Sequence, residues 1–533
     1  MSELKLLTHV PYAFQPGETV DEIRATASRN QMVFLSFSLI ADSDLDVILE
    51  LTPLVGPAGE QLSCELHVVS VWAQSGLGVY QSAATDVSEL LLKSDNVHFE
   101  DGYRRRCDSS WHLHRSRRRY LAPKVRLAGD VRTSLAAGKP RQFWVSVDVR
   151  AGCAPGEYSG HINLKRKGST DVDTLVEVEV LPVTLVEPQQ DLMLWYRGTL
   201  NCHHPHHYVS QSIFTAQLRD IHRHGFRSIS FWETDRKRMQ RAIDIAHEVG
   251  FSGNIVLDAY REKVWSGVDF RGMTPVVYVA DEADADPFSQ MERANELSEA
   301  VRRRNVKTFV SVIHFSSIEK TDADVVSFFL PSNAADVIGS FPGRDSGRAI
   351  YYYWQAHMEK PLLHRLLAGV FLWKSGAAGI SPYCYQHLPG FPFSPFDDFD
   401  SWDPKERAPE GKFFRDHFAT YPARDGVIPT LQWKGMADGI TDLRYLATRE
   451  AALAGAEASG DSVRVDKARR IRAKGVEFLD LIQPAALDLL SDSRLLPADF
   501  LTAEAFAEMR SSLVDDILDL LPPQGLRPGT DQV

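Results

Sequence analysis

The chain of 533 residues is long enough for two or three domains, and its 44% hydrophobic and 10% aromatic residues provide for large cores. Its 59 lysines and arginines are outnumbered by 71 aspartates and glutamates, which gives a formal net charge of −12. That balance argues against a nucleic acid or an anionic membrane as the main partner.

The N-terminal residues, "MSELKLLTHVPYAF", lack a basic segment followed by an apolar one, so no secretory signal is predicted. No apolar stretch approaches the roughly 20 residues that span a bilayer. The expected location is therefore the cytoplasm, and no membrane partner is expected.

Short β-favouring runs recur through residues 1–187, and several of them alternate apolar and polar residues as half-buried strands do. They lie at residues 32–40, 46–55, 64–74, 141–150 and 174–183. A Pro-Gly turn within 154–166 leads into another strand. The pattern predicts an N-terminal β-sandwich domain over residues 1–187.

Seven arginines interrupt this domain at residues 104–119. One interpretation is a patch that binds an anion or an acidic glycan. The alternative is a loop that pairs with carboxylates of a neighbouring domain or subunit. The second interpretation is compatible with a homo-oligomer, and the sequence leaves the oligomeric state open.

From residue 188 to 450, apolar strands alternate with segments of helical periodicity, as in βα units. The predicted strands lie at 192–198, 228–233, 253–258, 275–282, 307–315, 325–331, 349–355 and 378–385. Eight strands over about 250 residues match a (β/α)8 TIM barrel. The interval between the fifth and sixth strands is short for a helix, so one unit is predicted to be degenerate.

Residues 451–533 are predicted to be a C-terminal helical region that ends in a loose tail. The segments 466–482 and 502–521 carry apolar residues at three- and four-residue spacing. The predicted fold class is therefore multidomain, with a β-sandwich, an α/β barrel and C-terminal helices.

Four acids follow the fourth predicted barrel strand, within "VVYVADEADADPF" at residues 276–288. TIM barrels carry their active sites at the carboxyl ends of the strands, which makes Asp281 and Glu282 candidate catalytic residues. Adjacent strand residues point to opposite faces, so both reach one ligand only if the strand end twists or bulges. Asp284 and Asp286 are interpreted as loop or N-cap residues before the next helix. The alternative is a solvated loop.

Other strand ends supply aromatic and polar residues of the kind that line carbohydrate sites. The candidate substrate-binding residues are Trp195, Tyr196, Trp232, Glu233, Asp258, His314, Tyr351, Tyr353, Tyr383 and Tyr385. Aromatic faces stack on sugar rings, and carboxylates accept hydrogen bonds from hydroxyl groups. The alternative for each residue is packing between strands and helices.

Four histidines are crowded at residues 203–207, after the first barrel strand. Histidines at i, i+4 spacing can chelate a metal on a helix, but Pro205 interrupts this run. A loop at the pocket rim is the favoured interpretation, and no metal is predicted. The sequence contains no P-loop, dinucleotide fingerprint or nucleophile elbow, so no cofactor is predicted either.

Four segments in the same order resemble glycoside hydrolase family 123 and its relatives. They are "FWVSVDVRAGCAPGEYSGHINL" with "VEVEVLPVTL", "VYVADEADAD", "PLLHRLLAGVFLWKSGAAGISPYCYQ", and "VIPTLQWKGMADGITDLRYL" with its "DGxxD" pattern. The resemblance covers about residues 140–450. The chain departs from the family at Ala283, where the family has proline, and at Tyr383 to Tyr385, where it has a tryptophan-rich strand.

The resemblance implies a retaining, exo-acting β-N-acetylgalactosaminidase-like enzyme in which the 2-acetamido oxygen of the substrate attacks its own anomeric carbon. Glu282 is then the general acid and base, and Asp281 orients the acetamido group. Because the substrate supplies the nucleophile, an adjacent pair of acids is sufficient. The implied partner is a carbohydrate or small glycoside.

Two alternatives remain open at this point. The barrel is also compatible with a glycosidase of 2-hydroxy sugars that uses Glu233 or Asp258 as a nucleophile opposite Glu282. A carbohydrate-binding protein without catalytic activity is the third interpretation. The sequence does not define the sugar, its anomer or the aglycone.

Overall fold

The computed structural model describes residues 4–13, 15–74, 85–95, 125–166, 172–201, 207–285, 289–331, 333–334, 337, 347–355, 360–386, 418–423, 426–483 and 500–522. It consists of an N-terminal β-rich region, a closed barrel of eight parallel strands and a C-terminal helical region. The predicted fold class is confirmed. The arginine-rich segment 104–119 lies outside the described residues, and the domain boundaries at residues 187 and 450 remain predictions.

The N-terminal region forms two layers of strands. Its strands are β1 (Leu4–Thr8), β2 (Glu22–Arg29), β3 (Gln31–Ala41), β4 (Leu45–Leu51), β5 (Leu54–Val55), β6 (Gln61–Gln74), β7 (Thr85–Leu92), β8 (Val131–Leu135), β9 (Arg141–Val149), β10 (Gly156–Arg166) and β11 (Val172–Thr184). One layer has the order β1-β3-β9-β6-β7 and the other β8-β4-β10-β11-β2, while β5 pairs with both β6 and β10. Apolar residues of both layers, including Phe37, Phe143 and Val178, share one buried core.

The eight barrel strands lie at the predicted positions. They are β12 (Asp191–Leu194), β13 (Ser228–Phe231), β14 (Asn254–Asp258), β15 (Thr274–Ala280), β16 (Lys307–Val312), β17 (Val325–Phe329), β18 (Ala349–Tyr353) and β19 (Gly379–Ile380). Each pairs in parallel with its neighbour, and β19 closes the barrel on β12. A 3-10 segment, Phe315–Lys320, follows β16 in place of a full helix. The prediction of one degenerate unit is therefore confirmed.

Helices cover the outside of the barrel and form the C-terminal region. They are α1 (Gln211–Arg223), α2 (Arg236–Val249), α3 (Glu262–Trp265), α4 (Met291–Arg302), α5 (Pro361–Ala368), α6 (Val370–Ser375), α7 (Leu431–Glu457), α8 (Ser462–Lys474), α9 (Glu477–Leu481) and α10 (Ala503–Leu520). A short hairpin, β20 (Tyr421–Ala423) and β21 (Gly426–Ile428), precedes α7. No helix in the described part of the chain is long and apolar enough to cross a membrane.

Helix α7 spans residue 450, so the predicted end of the barrel domain falls inside a helix. It packs closely on α5 because glycines face that helix. A Cβ on Gly439 would lie 2.3 Å from the backbone oxygen of Arg365, and one on Gly435 would lie 2.2 Å from that of Pro361. The glycine of the "DGxxD" pattern therefore allows two helix backbones to approach each other.

Both aspartates of that pattern are buried in an ion-pair cluster, which we call the Arg365 cluster. Asp442 accepts hydrogen bonds from Arg365 Nε at 2.6 Å and from Arg510 Nε at 2.9 Å. Asp438 accepts from Arg510 Nη2 at 3.0 Å and from the Tyr12 hydroxyl at 3.1 Å. The cluster connects α5, α7, α10 and the N-terminal segment, and its carboxylates are satisfied by protein donors.

Candidate active site

The carboxyl end of β15 departs from regular strand geometry where it reaches the acids. Its register with β16 shifts between Tyr278 and Ala280, and Glu282 has a positive φ of 43°. A bulge and a left-handed residue break the alternation of side chains. Asp281 and Glu282 can therefore both contact tyrosines that line the barrel interior.

Asp281 is exposed and accepts two side-chain hydrogen bonds. The Tyr278 hydroxyl lies 2.5 Å and the Ser311 hydroxyl 3.0 Å from Asp281 Oδ1. Ser311 also accepts the backbone N–H of Glu282 at 2.8 Å, so one serine of β16 positions both acids. The second carboxylate oxygen of Asp281 has no side-chain donor in the described part of the chain and can accept a hydrogen bond from a ligand.

Glu282 is half-buried, and its Oε1 accepts a hydrogen bond from the Tyr353 hydroxyl at 2.8 Å. Burial raises the pKa of this carboxyl, and the neighbouring Asp281 and Asp284 raise it further, against the opposing effect of the Tyr353 bond. A raised pKa keeps part of the Glu282 population protonated toward neutral pH, as a general acid requires. The two adjacent acids thus have different environments.

Asp284 fixes the loop to the next strand. Its carboxylate accepts the backbone N–H groups of Ile313 at 2.6 Å and His314 at 2.9 Å. Asp284 was interpreted as a loop or N-cap residue, and it is a loop residue: the residue before α4 is Gln290, which makes no side-chain cap bond. Asp286 lies outside the described residues.

Aromatic side chains fill the barrel interior below the two acids. The Trp195 ring lies 4.8 Å from Tyr278, 5.7 Å from Phe309 and 6.0 Å from Trp232, measured between ring centroids. Trp195 is buried, whereas Trp232 is half-buried and accessible to a ligand. Trp232 therefore presents an aromatic surface at the mouth, which Trp195 and Arg197 partly cover.

A cation and a further tyrosine complete the mouth. The guanidinium of Arg197 lies 4.8 Å above the Trp232 ring and forms no ion pair within the described part of the chain. Burial raises the pKa of Tyr383, while the charge of Arg197 lowers it and that of Asp281 raises it. Tyr383 therefore lies within electrostatic range of Arg197 and Asp281. His314 is exposed at the same end of the barrel.

Three of the predicted aromatic contacts lie away from this mouth. The hydroxyl of Tyr196 donates to Gln217 at 2.6 Å and that of Tyr385 to Asp220 at 2.9 Å, so both rings pack outward against helix α1. Tyr351 faces the interior but donates to Asp191, at the start of β12, at 2.6 Å. We therefore do not retain Tyr196, Tyr351 and Tyr385 as substrate contacts.

The two alternative nucleophiles are engaged in holding loops. Glu233 is buried and accepts the Thr199 hydroxyl at 2.9 Å and the Leu200 N–H at 2.7 Å. Asp258 accepts the Tyr260 N–H at 2.9 Å and forms an ion pair with Arg261 at 3.0 Å. Neither carboxylate is oriented by its contacts toward Asp281 or Glu282.

Sequence reasoning missed Tyr278, Ser311 and Arg197. Tyr278 lies three residues before Asp281, so a search for hydroxyl groups near the acids within the strand could have found it. Arg197 follows Trp195 by two residues and shares its side of the chain. Ser311 becomes a neighbour of the acids only through the pairing of β15 with β16, which the sequence does not specify.

In the described part of the chain, no group of three or more histidine, cysteine, aspartate or glutamate side chains is arranged to hold a metal ion. His203, His204 and His206 lie outside the described residues, and His207 is buried. The proposed role of the histidine run at the pocket rim remains a prediction.

No protein-family model and no curated protein matches this chain. Among solved structures, it is similar to a family 123 glycoside hydrolase from Clostridium perfringens, whose structure was analysed for glycolipid glycan hydrolysis. The TM-score is 0.60 at 10% sequence identity, over 97% of this chain and 99% of that chain.

Two other glycosidase structures match with lower scores. They are a GH5 xyloglucanase from Bacteroides ovatus (TM-score 0.30, 7% identity, 79% of this chain and 99% of that chain) and beta-glucuronidase 2 from Bacteroides uniformis (0.29, 8%, 73% and 46%). Those scores are too low to bear on the fold. The likeness to the Clostridium enzyme extends over nearly the whole of both chains, and this chain therefore has the fold of a family 123 glycoside hydrolase.

Proposed function

We propose that the chain is a retaining, exo-acting glycosidase that cleaves a β-linked 2-acetamido hexoside by substrate-assisted catalysis. The observation that carries the proposal is the adjacent acid pair at the end of β15, in which Glu282 has a raised pKa and Asp281 is exposed with an oxygen available to a ligand. The fold shared with an enzyme analysed for glycolipid glycan hydrolysis supports it.

In the proposed reaction, Glu282 donates its proton to the glycosidic oxygen as the bond to the anomeric carbon breaks. The acetamido oxygen of the substrate attacks that carbon and forms an oxazolinium ion, whose N–H donates a hydrogen bond to Asp281. Water then attacks the anomeric carbon from the face that the leaving group left, and ionised Glu282 takes the proton of the water. The bond between the anomeric carbon and the acetamido oxygen breaks in this step, which restores the acetamido group. Two inversions give net retention of configuration.

The remaining mouth residues have binding roles in this proposal. The accessible part of Trp232 contacts the sugar ring, and Trp195 packs against the same indole. Tyr353 holds Glu282, and Ser311 and Tyr278 hold Asp281, so neither acid must reorganise when charge develops. Arg197 is placed beside Trp232 to donate hydrogen bonds to sugar hydroxyl groups.

The contacts of Glu233 and Asp258 favour substrate assistance over a protein nucleophile. Both carboxylates are held by loop donors. Releasing Glu233 would leave the part-buried Leu200 N–H unpaired, and releasing Asp258 would break its ion pair with Arg261. A 2-fluoro sugar that traps a covalent glycosyl-enzyme, located on Glu233 or Asp258 by peptide mass mapping, would favour the second mechanism. A thiazoline analogue of the oxazoline should inhibit the enzyme under the first.

The decisive experiment is Glu282→Gln, assayed on a panel of 2-acetamido and 2-hydroxy hexosides with unactivated leaving groups. General acid catalysis contributes about 10²- to 10⁴-fold, so kcat/KM should fall by at least about 100-fold. The matched control is Glu319→Gln, which removes an exposed carboxylate from the segment after the adjacent strand β16.

The control should retain full activity, and both variants should keep the melting temperature of the unmodified protein. A Glu282→Gln variant that loses less than about tenfold would refute the assignment of the general acid. Saturable sugar binding by the unmodified protein without turnover on any hexoside would identify a carbohydrate-binding protein instead.

A further inference from the structure

A polar cavity of 190 Å³ lies between the sandwich and the barrel, away from the acid pair. Residues of β6 and β7 contribute one wall, and helices α1 and α7 contribute the other. A single water needs only about 10–15 Å³ in the same measure. The cavity is therefore large enough for a small ion or molecule.

Cations outnumber anions on the walls of this cavity. Four cationic side chains line it, namely Lys93, Arg126, Arg223 and Lys434. The lining carboxylates are Glu65 and Asp220. Two further acids contact the rim cations at longer range, Asp148 at 3.7 Å from Arg223 and Asp130 at 3.7 Å from Arg126. The lining itself therefore carries two more cations than carboxylates, and Asp148 and Asp130 offset that difference from outside the lining.

Three buried nitrogen atoms at the cavity form no hydrogen bond with the described residues, although one of them, Arg223 Nε, lies 3.7 Å from Asp148. In the described part of the chain, His67 Nδ1 and the Nε and Nη2 atoms of Arg223 are buried and accept or donate no hydrogen bond. His67 is 5% exposed, and Arg223 uses its remaining nitrogen, Nη1, for Glu65 at 3.1 Å. Buried polar atoms in native proteins are almost always paired with protein, water or an ion.

The two lysines are anchored so that they face the cavity from opposite walls. Lys93 Nζ donates to the Leu66 carbonyl at 2.5 Å, and Lys434 Nζ lies 3.1 Å from His224 Nε2. Both are buried, and burial lowers the pKa of each. A buried cation of this kind is stabilised by an anionic partner. Neither ammonium group forms an ion pair with a carboxylate in the described part of the chain, where their partners are a carbonyl oxygen and an imidazole nitrogen.

We propose that this cavity binds a small tetrahedral oxyanion of the phosphate or sulfate type, either free or carried on a sugar. A guanidinium and two ammonium groups, with an imidazole beside them, match the several oxygens and double charge of such an ion. The side chain of Glu65 is 42% exposed, so the ion can enter from solvent. Because the walls come from both regions, the bound ion joins the sandwich to the barrel.

The test is isothermal titration calorimetry of the full chain with sodium phosphate, in chloride buffer of matched ionic strength. We expect saturable binding of one ion per chain. Lys93→Met keeps the apolar stem and removes the charge, so affinity should fall by at least about tenfold. Arg303→Gln, which removes an exposed cation of the barrel surface, should bind as the unmodified protein does.

Parallel titrations separate the sources of the ion. Phosphate and sulfate binding without hexose 6-phosphate binding supports a free ion, and tighter binding of the hexose 6-phosphate supports a sugar-borne one. An absence of saturable binding by all three overturns the proposal, as does binding unchanged by Lys93→Met. Should that variant fail to fold, crystals of the unmodified protein soaked in selenate decide the question. An anomalous peak among Lys93, Arg223 and Lys434 supports the site, and its absence refutes it.

Discussion

Two pairs of neighbouring acids in this molecule differ in burial and in the kind of hydrogen-bond donor that holds them. Asp438 and Asp442 lie in the Arg365 cluster, buried, with their oxygens bonded to arginine and tyrosine donors. Asp281 and Glu282 lie at the mouth of the barrel, with one oxygen of each held by a hydroxyl group. The first pair is paired to charges, and the second pair to neutral donors only.

This difference separates a structural pair from a chemical one. Protonating a carboxylate that is paired with buried guanidinium groups costs much free energy, because each guanidinium would lose its counterion. A carboxylate held by hydroxyl groups keeps its orientation and remains able to titrate. The identity of the acids alone would not distinguish the pairs, since both come from segments that resemble the same family.

The largest expected effect on stability is at Asp442. Asp442→Asn leaves Arg365 and Arg510 without a buried counterion, and breaking one partner of a buried pair costs about 3–5 kcal/mol. Thermal unfolding followed by circular dichroism should show a strongly lowered melting temperature. The control is Asp466→Asn. The Asp466 side chain is 69% exposed and pairs with Arg469, so this change should alter stability by less than about 1 kcal/mol.

A smaller loss is expected where α5 and α7 meet. Gly439→Ala forces a Cβ against the Arg365 backbone oxygen and should destabilise the fold by about 1–3 kcal/mol. Gly455→Ala lies in the same helix with no heavy atom within 4 Å of the added Cβ. That control should be neutral or stabilising by up to about 1 kcal/mol. Equal effects of both changes would show that the close approach does not matter.

The third prediction concerns the pH profile of the proposed activity. The Tyr353 hydroxyl lowers the pKa of Glu282, so Tyr353→Phe should raise that pKa further. The general acid then stays protonated to higher pH, and the basic limb of kcat/KM should move to higher pH. Tyr352→Phe, whose hydroxyl donates to the Leu367 carbonyl, should leave the limb unchanged.

The smallest expected effect is the loss of fold stability when the two acids at the barrel mouth are substituted. Glu282→Gln and Asp281→Asn should change the free energy of unfolding by less than about 1 kcal/mol, because neither acid balances a buried charge. Denaturant titrations would measure this directly. A loss of stability as large as that of Asp442→Asn would mean that Asp281 and Glu282 are structural. It would contradict the distinction drawn between the two acid pairs.

Much of the fold could be predicted from the sequence because periodicity reports burial. The strands of the barrel were located by their apolar runs, and the short interval after residue 315 correctly indicated a missing helix. The close packing of α7 on α5 could not be predicted. It depends on glycines of α7, and a glycine in the sequence does not show which other helix will pack against it. The same applies to Asp442, whose partner Arg510 is 68 residues away.

The positions of several candidate residues could be predicted, whereas their roles stay predictions. Trp195, Trp232 and Tyr353 lie around the acid pair, and Tyr196 and Tyr385 pack on the outer face against α1. Where a short strand gives way to a loop, alternation no longer indicates which of two neighbours points inward. Glu233 illustrates another limit, because a carboxylate at a strand end serves equally well as an acceptor for loop N–H groups.

The left-handed backbone of Glu282 has a consequence for selection. Glycine and asparagine adopt this conformation more readily than glutamate, which pays a conformational cost of about 1 kcal/mol or more. Laboratory evolution for thermal resistance alone should therefore accumulate glycine or asparagine at position 282, while screening for turnover should restore glutamate. Opposite outcomes at this one position would show that glutamate lowers the stability of the fold and is kept for catalytic activity.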